Sequence, residues 1–142
     1  MLISTKGRYA LRVMIDLAEH QNGNCIPMKE IAQRQDISQK YLERIMVVLT
    51  KAGLVYGVHG KGGGYKLNRS PEEYRVSDIL RLLEGSLAPV SCLECNAEPC
   101  EKAAECRTLP MWREVSTMLN NYFDSITIAD LMRTDSADNY VI

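Results

Sequence analysis

Residues 38–52, SQKYLERIMVVLTKA, constrain the fold of this chain most tightly. At about 100° per residue they form one amphipathic helix of about four turns. Tyr41, Leu42, Ile45, Met46, Val48, Leu49 and Ala52 share one arc. Gln39, Lys40, Glu43, Arg44, Thr50 and Lys51 share the other, with Val47 among them. The first arc needs a core to lie on. The second carries long donors, one acceptor and one aliphatic group, which is the chemistry of a face that reads base edges.

The preceding residues supply that core. Residues 4–21 read as a helix with Tyr9, Ala10, Val13, Met14, Leu17 and Ala18 on one arc, extended by Leu11 and Ile15. The polar strip left over (Arg8, Arg12, Asp16, Glu19) is narrow, so packing on two sides is expected, the second against another subunit. Asn22-Gly23-Asn24 makes a turn. Residues 27–35 form a short helix with Pro27 near its first turn and Ile31 and Ala32 inward. Asp36-Ile37 turns the chain, Ser38 caps the reading helix, and Gly53 stops it. Two helices joined this tightly predict a helix-turn-helix with the second as reader.

Residues 54–59 and 65–67 are strand candidates around Gly60-Lys61-Gly62-Gly63-Gly64. They make a wing whose backbone N–H groups can approach phosphate, with Lys61, Lys66 and Arg69 adding charge. No Lys-Ser/Thr pair follows the glycines, which argues against a nucleotide-binding phosphate loop.

Residues 76–84 are a further helix, with Val76, Ile79, Leu80 and Leu83 inward and Gly85 as its stop. Residues 86–108 show no period. Residues 109–124 are helical, with Pro110 in the first turn; Trp112, Val115, Leu119, Tyr122 and Ile126 form a coiled-coil-like seam. The expectation is a dimerisation helix that also packs on the first helix, widened by Met111, Met118 and Phe123; the alternative is a helix folded onto its own core. A last short helix spans residues 127–132. The predicted fold class is mainly α with a small β wing. Its divisions are a winged helix-turn-helix domain (1–85), a cysteine-bearing sensor loop (86–108), a dimerisation helix with a short terminal helix (109–132) and a tail (133–142).

Charge supports a nucleic-acid partner. Residues 1–70 carry 11 Lys/Arg against 5 Asp/Glu, a net of +6; residues 71–142 carry 6 against 13, a net of −7. A basic front beside an acidic back suits an anionic ligand. No run approaches the ~20 apolar residues of a membrane span, and the first residues lead into charge rather than a secretory signal. A reducing cytosol is the expected compartment, and no small-molecule substrate is expected.

The residues expected at a DNA operator are Ser4, Thr5, Lys6 and Arg8, near the start of the first helix; Met28; Ser38, Gln39, Lys40, Tyr41, Glu43, Arg44 and Val47; and His59 and Lys61 at the wing tip. Arg44 suits guanine, Gln39 adenine, Glu43 cytosine and Val47 a thymine methyl. The first-helix group and the wing tip suit phosphate or the minor groove. His20 falls at a helix end, where a cation is favourable.

Cys92, Cys95, Cys100 and Cys106 give C-x2-C-x4-C-x5-C between two helices. Four thiols at this density can hold zinc or an iron–sulfur cluster (2Fe–2S or 4Fe–4S), or act as a thiol switch. Spacing alone ranks the first two equally. Cys25 stands apart as a small core or turn residue. An enzyme would need a base beside a nucleophile or an open metal position. Only His20 and His59 are available, and neither is tied to the loop, so no enzymatic activity is expected.

ISTKGRYALRVMIDLA, IAQRQDISQKYLERI, AGLV, GKGGGYKL and DILRLLEG together resemble the Rrf-type winged-helix regulators, the family of IscR, NsrR and CymR. The resemblance implies a homodimeric transcription regulator with a long crossing helix. It also favours iron–sulfur: cluster-bearing members have three cysteines in this loop followed by a Trp, as Cys92, Cys100, Cys106 and Trp112 stand here. The first interval is longer, and Cys95 is extra. Leu109 stands where IscR-like members place a His ligand, and Arg8 where NsrR-like members place an acidic one. That makes Cys95 the candidate fourth ligand, followed by Glu94, Glu98 or an external group. The CymR-like branch lacks these cysteines and works through a protein partner. His59 replaces an Arg frequent in IscR-like wings.

Overall fold

The computed structural model describes residues 3–94 and 97–133. Among these residues six α-helices run in order: α1 (Thr5–Glu19), α2 (Met28–Gln35), α3 (Gln39–Lys51), α4 (Val76–Glu84), α5 (Leu109–Ser125) and α6 (Ile128–Leu131). Between α3 and α4 lie the strands β1 (Val55–Val58) and β2 (Gly64–Leu67). The expected mainly α architecture with a β wing is the one observed.

The core forms where α1, α2 and α3 cross. Ala10, Val13, Met14 and Leu17 of α1 meet Ile31 of α2 and Leu42, Ile45, Met46 and Leu49 of α3, all shut from solvent. Each large apolar side chain buried this way stabilises the fold by about 1.5–3 kcal/mol. Ile79 of α4 and Ile128 of α6 close the same cluster. Ala52, expected on the buried arc, is exposed, because it is already the C-cap of α3 and the helix turns away from the core there.

Asp16 departs further from expectation. Its charge puts it with the polar strip of α1, yet it is 1% exposed. Arg34 donates to its carboxylate through Nε at 3.0 Å and Nη2 at 2.8 Å, and Gln35 Nε2 adds a third bond at 2.8 Å. The carboxylate is fully paired, which is what permits its burial.

The wing pairs antiparallel, with Val55 opposite Leu67 and Val58 opposite Gly64. A third segment joins it: Ile26 and Tyr65 exchange backbone bonds of 2.7 and 2.8 Å. A Cβ on Gly64 would stand 2.2 Å from the Ile26 carbonyl oxygen, so only glycine lets the α1–α2 segment approach. The base of the wing is pinned by Tyr74, 2% exposed. Its hydroxyl donates to the Leu54 carbonyl at 2.8 Å and accepts from the N–H groups of Asn68 and Arg69, each at 3.2 Å.

Helix α4 reaches back to the front of α1. The Glu84 carboxylate accepts from the Ser4 N–H at 2.9 Å and its hydroxyl at 2.6 Å. A side chain at Gly7 would collide with that carboxylate, at 2.2 Å from Oε1.

Helix α5 has two apolar faces. Phe123, with Ile126 just past its end, packs against Val76, Leu80 and Leu87, and Arg81 of α4 donates to Asn120 at 2.6 Å and Asp124 at 3.3 Å. The other face, Val115, Met118, Leu119 and Tyr122, lines an open groove. Ile126 therefore belongs to the α4 contact rather than to the predicted seam, because α5 ends at Ser125 and the chain turns there. The main support of α5 is α4, and Leu11 of α1 packs on the same Val76, Leu80 and Leu87 cluster.

Candidate nucleic-acid interface and cysteine loop

The order of caps explains why α3 stands free on one side. Asp36 ends α2 in the left-handed region (φ 52°). Ser38 then begins α3, its hydroxyl accepting from the Tyr41 N–H at 3.1 Å. With Leu42, Ile45, Met46 and Leu49 committed to the core, Gln39, Lys40, Glu43, Arg44 and Val47 are all exposed, Val47 at 45%. Ser38 is exposed at the cap. Tyr41 is half-buried, meeting the Tyr9 ring edge-on with centroids 5.8 Å apart. Met28 is half-buried against the core.

The wing stands next to this face. His59 and Lys61 are exposed at its tip. Tyr65 lies over Gly57, and burial, then the Glu43 charge, push its phenol above the ordinary value. Wing and reading helix are electrostatic neighbours through that pair.

The front of α1 is less free. Ser4 is its N-cap, accepting from the Gly7 N–H at 3.1 Å while donating to Glu84. Thr5 and Arg8 are exposed, and Arg8 Nη2 donates to the Thr5 hydroxyl at 3.2 Å. Lys6 is half-exposed.

In the loop, Cys92 sits in the short 3-10 turn Ser91–Leu93 and is exposed, as is Cys100; Cys106 is half-buried. Cys95 lies outside the described residues. Among the described residues the cysteines are free, and no three His, Cys, Asp or Glu side chains gather as a metal group. The Cys106 sulfur lies 3.5 Å from the Thr108 hydroxyl. Hydrogen bonds from the Thr108 side chain, then from the backbone at Thr108 and Leu109, hold its thiol below the ordinary range. As a donor set, three accessible thiols on an irregular loop suit thiolate-held metal chemistry. A gathered coordination geometry is not seen among the described residues.

The expected DNA-facing residues thus divide. Gln39, Lys40, Glu43, Arg44 and Val47 on α3 and His59 and Lys61 on the wing are exposed, Ser4 is engaged by α4, and Tyr41 and Met28 are half-buried against the core. Sequence reasoning missed the Asp16–Arg34–Gln35 group, the Tyr74 staple and the Ser4–Glu84 contact. A signal existed for the first: at 100° per residue, Asp16 points within about 20° of Tyr9, which was placed on the apolar arc.

The family model described as "Rrf2: Iron-dependent Transcriptional regulator" matches residues 3–134. The "HTH-type transcriptional regulator IscR" of Aliivibrio salmonicida is 36% identical over 132 residues, covering 93% of this chain and 77% of that protein. The structure of CymR, the global cysteine regulator of B. subtilis, superimposes with a TM-score of 0.74 at 37% identity, over 92% of this chain and 95% of that one. T. potens IscR gives 0.72 at 34% identity, over 100% and 93%. No helix among the described residues is long and apolar enough to cross a membrane. A mostly helical chain with a two-stranded wing, matched along nearly its whole length by regulators, belongs to the Rrf2 family of DNA-binding transcriptional regulators.

Proposed function

We propose that this chain works as a cytoplasmic homodimer that inserts α3 into the major groove of an operator, with the wing beside it. One observation carries the reading. The four buried apolar residues of α3 leave Gln39, Lys40, Glu43, Arg44 and Val47 exposed together on the helix that packs against β1 of the wing. The open groove of Val115, Met118, Leu119 and Tyr122 is the proposed dimer surface, which would set the spacing of two readers on successive turns of DNA.

The cysteine loop is the proposed input, as an iron–sulfur sensor. Cys92, Cys100 and Cys106 would hold the cluster, with Cys95 as the candidate fourth ligand. A bound cluster would supply sensitivity to iron, oxidants or nitric oxide. The loop joins α4 to α5, so holding or releasing its thiols acts on the elements that carry the dimer surface. A coupling of ~1–3 kcal/mol would change operator affinity roughly 5- to 150-fold.

A second reading is a zinc or thiol switch, or a regulator of cysteine metabolism. The cysteine-metabolism reading is favoured by the likeness to CymR, a global cysteine regulator. The ultraviolet–visible spectrum of protein purified without oxygen, with iron and sulfide assayed on the same sample, separates the two. Visible absorbance with both elements supports the cluster; a colourless protein after reconstitution overturns it and leaves the DNA-binding reading standing. The triple variant Cys92→Ala, Cys100→Ala, Cys106→Ala is expected to lose the response of DNA binding to the signal.

A further inference from the structure

Helix α2 ends at Gln35 with its last carbonyls lacking partners inside the helix. The Gln35 carbonyl is met by Arg12, whose Nη2 reaches across from α1. Arg12 Nε donates to the Gln35 side-chain oxygen at 3.1 Å. The Gln35 amide nitrogen in turn donates to buried Asp16 at 2.8 Å. Gln35 is therefore held at its backbone and at both ends of its side-chain amide, immediately before Asp36, the one described non-glycine residue with positive φ. A left-handed aspartate is a conformation that needs support from its surroundings.

The same guanidinium lies over the Tyr9 ring, 4.9 Å from its centroid. Tyr9 meets Tyr41 edge-on, with the planes at 87°. Tyr41 is in the first turn of α3, and its N–H closes the Ser38 cap. Arg12 thus braces both ends of the turn between the two helices, Gln35 directly and Tyr41 through Tyr9. A guanidinium suits this task, since it offers a planar fork of donors and a flat face for stacking at once, whereas an ammonium offers a point charge.

We propose that Arg12 is a positioning residue for DNA recognition, setting the angle at which α3 leaves the turn and making no phosphate contact itself. The proposal rests on α3 being the reader. It separates Arg12 from Arg8, one turn earlier on α1, which is expected to meet phosphate.

The test uses the full chain and two probes: a duplex selected by the wild-type protein from a random pool, and a mixed-sequence duplex. Arg12→Lys keeps the charge and loses the fork. It is expected to weaken binding to the selected duplex about tenfold, to leave the mixed duplex within about twofold, and to leave the salt slope unchanged. Tyr9→Leu is expected to weaken the selected duplex likewise, and the double variant to lose less than the product of the two. Wild-type affinity of Arg12→Lys for the selected duplex would overturn the proposal. So would a loss equal on both duplexes, whether it comes with an Arg12→Leu salt slope lower by about 0.9 (a phosphate contact) or follows the folded fraction in a thermal melt. Unchanged binding by Gln39→Ala with Arg44→Ala would instead remove the reader itself, a failure separate from that of Arg12.

Discussion

The Asp16 carboxylate, with no solvent-exposed side-chain surface, lies 2.8 Å from the Arg34 guanidinium, which is 32% exposed. The pair is unequal, and the inequality decides which partner matters more. Losing Asp16 leaves a guanidinium that water can reach. Losing Arg34 leaves a buried carboxylate with Gln35 as its remaining side-chain hydrogen-bond donor and the His20 ring 3.7 Å away. Arg34→Leu is therefore expected to destabilise the fold by about 3–5 kcal/mol, and Asp16→Asn by less. Urea unfolding of the two variants, monitored by circular dichroism, gives the ordering.

Tyr74→Phe removes the hydroxyl that binds Leu54 and receives Asn68 and Arg69. The ring still fills its place, so the loss is that of buried polar groups left unpaired, about 1–3 kcal/mol. Amide exchange at Asn68 and Arg69 should accelerate more than exchange in α1.

Gly64→Ala forces a Cβ to within 2.2 Å of the Ile26 carbonyl oxygen. Backbone on both sides must shift, and the Ile26–Tyr65 exchange should open. We expect a loss of about 1–3 kcal/mol and weaker duplex binding. Gly62→Ala is the comparison, since nothing lies within 4 Å of its Cβ position. It should weaken binding through turn strain alone.

Leu119→Glu with Met118→Lys places charge on the open face of α5 and spares the face on α4. Sedimentation should show a folded monomer, against the dimer expected of the parent. Retention of a dimer would send the interface elsewhere.

Arg44→Ala and Lys40→Ala should differ in kind. A base contact by Arg44 predicts a cost of about 1–3 kcal/mol on the selected duplex with relaxed preference at one position. A phosphate contact by Lys40 predicts a uniform loss and a salt slope smaller by about 0.9. Titrations of the selected duplex at several salt concentrations resolve them.

The periodic parts of the fold were legible because each repeats its message. The arc from Leu42 to Leu49, the cap at Ser38 and the glycines of the wing agreed with one another, and α3 starts one residue from its expected bound. What stayed hidden has no period. Tyr74 is a single aromatic residue between a 3-10 turn and α4, and nothing local shows that its hydroxyl reaches Leu54, 20 positions back. Asp16 was hidden differently: its charge outweighed its angle on the helix. The loop carried its chemistry in composition alone, and the wing's third segment is a single pair at Ile26 and Tyr65, too short to leave a pattern.

The Glu84 carboxylate that closes the front of α1 belongs to the last residue of α4. At the other end of that helix, the Val76 N–H is held by the Ile126 carbonyl at 2.9 Å. The helix between them works as a ruler with both ends fixed. One residue inserted within it would swing Glu84 by about 100° around the axis, away from Ser4. Gly85 and the irregular loop beyond it face no such limit. Insertions and deletions among descendants of this chain should therefore accumulate after Gly85, with the nine residues of α4 kept in number even where their identities drift.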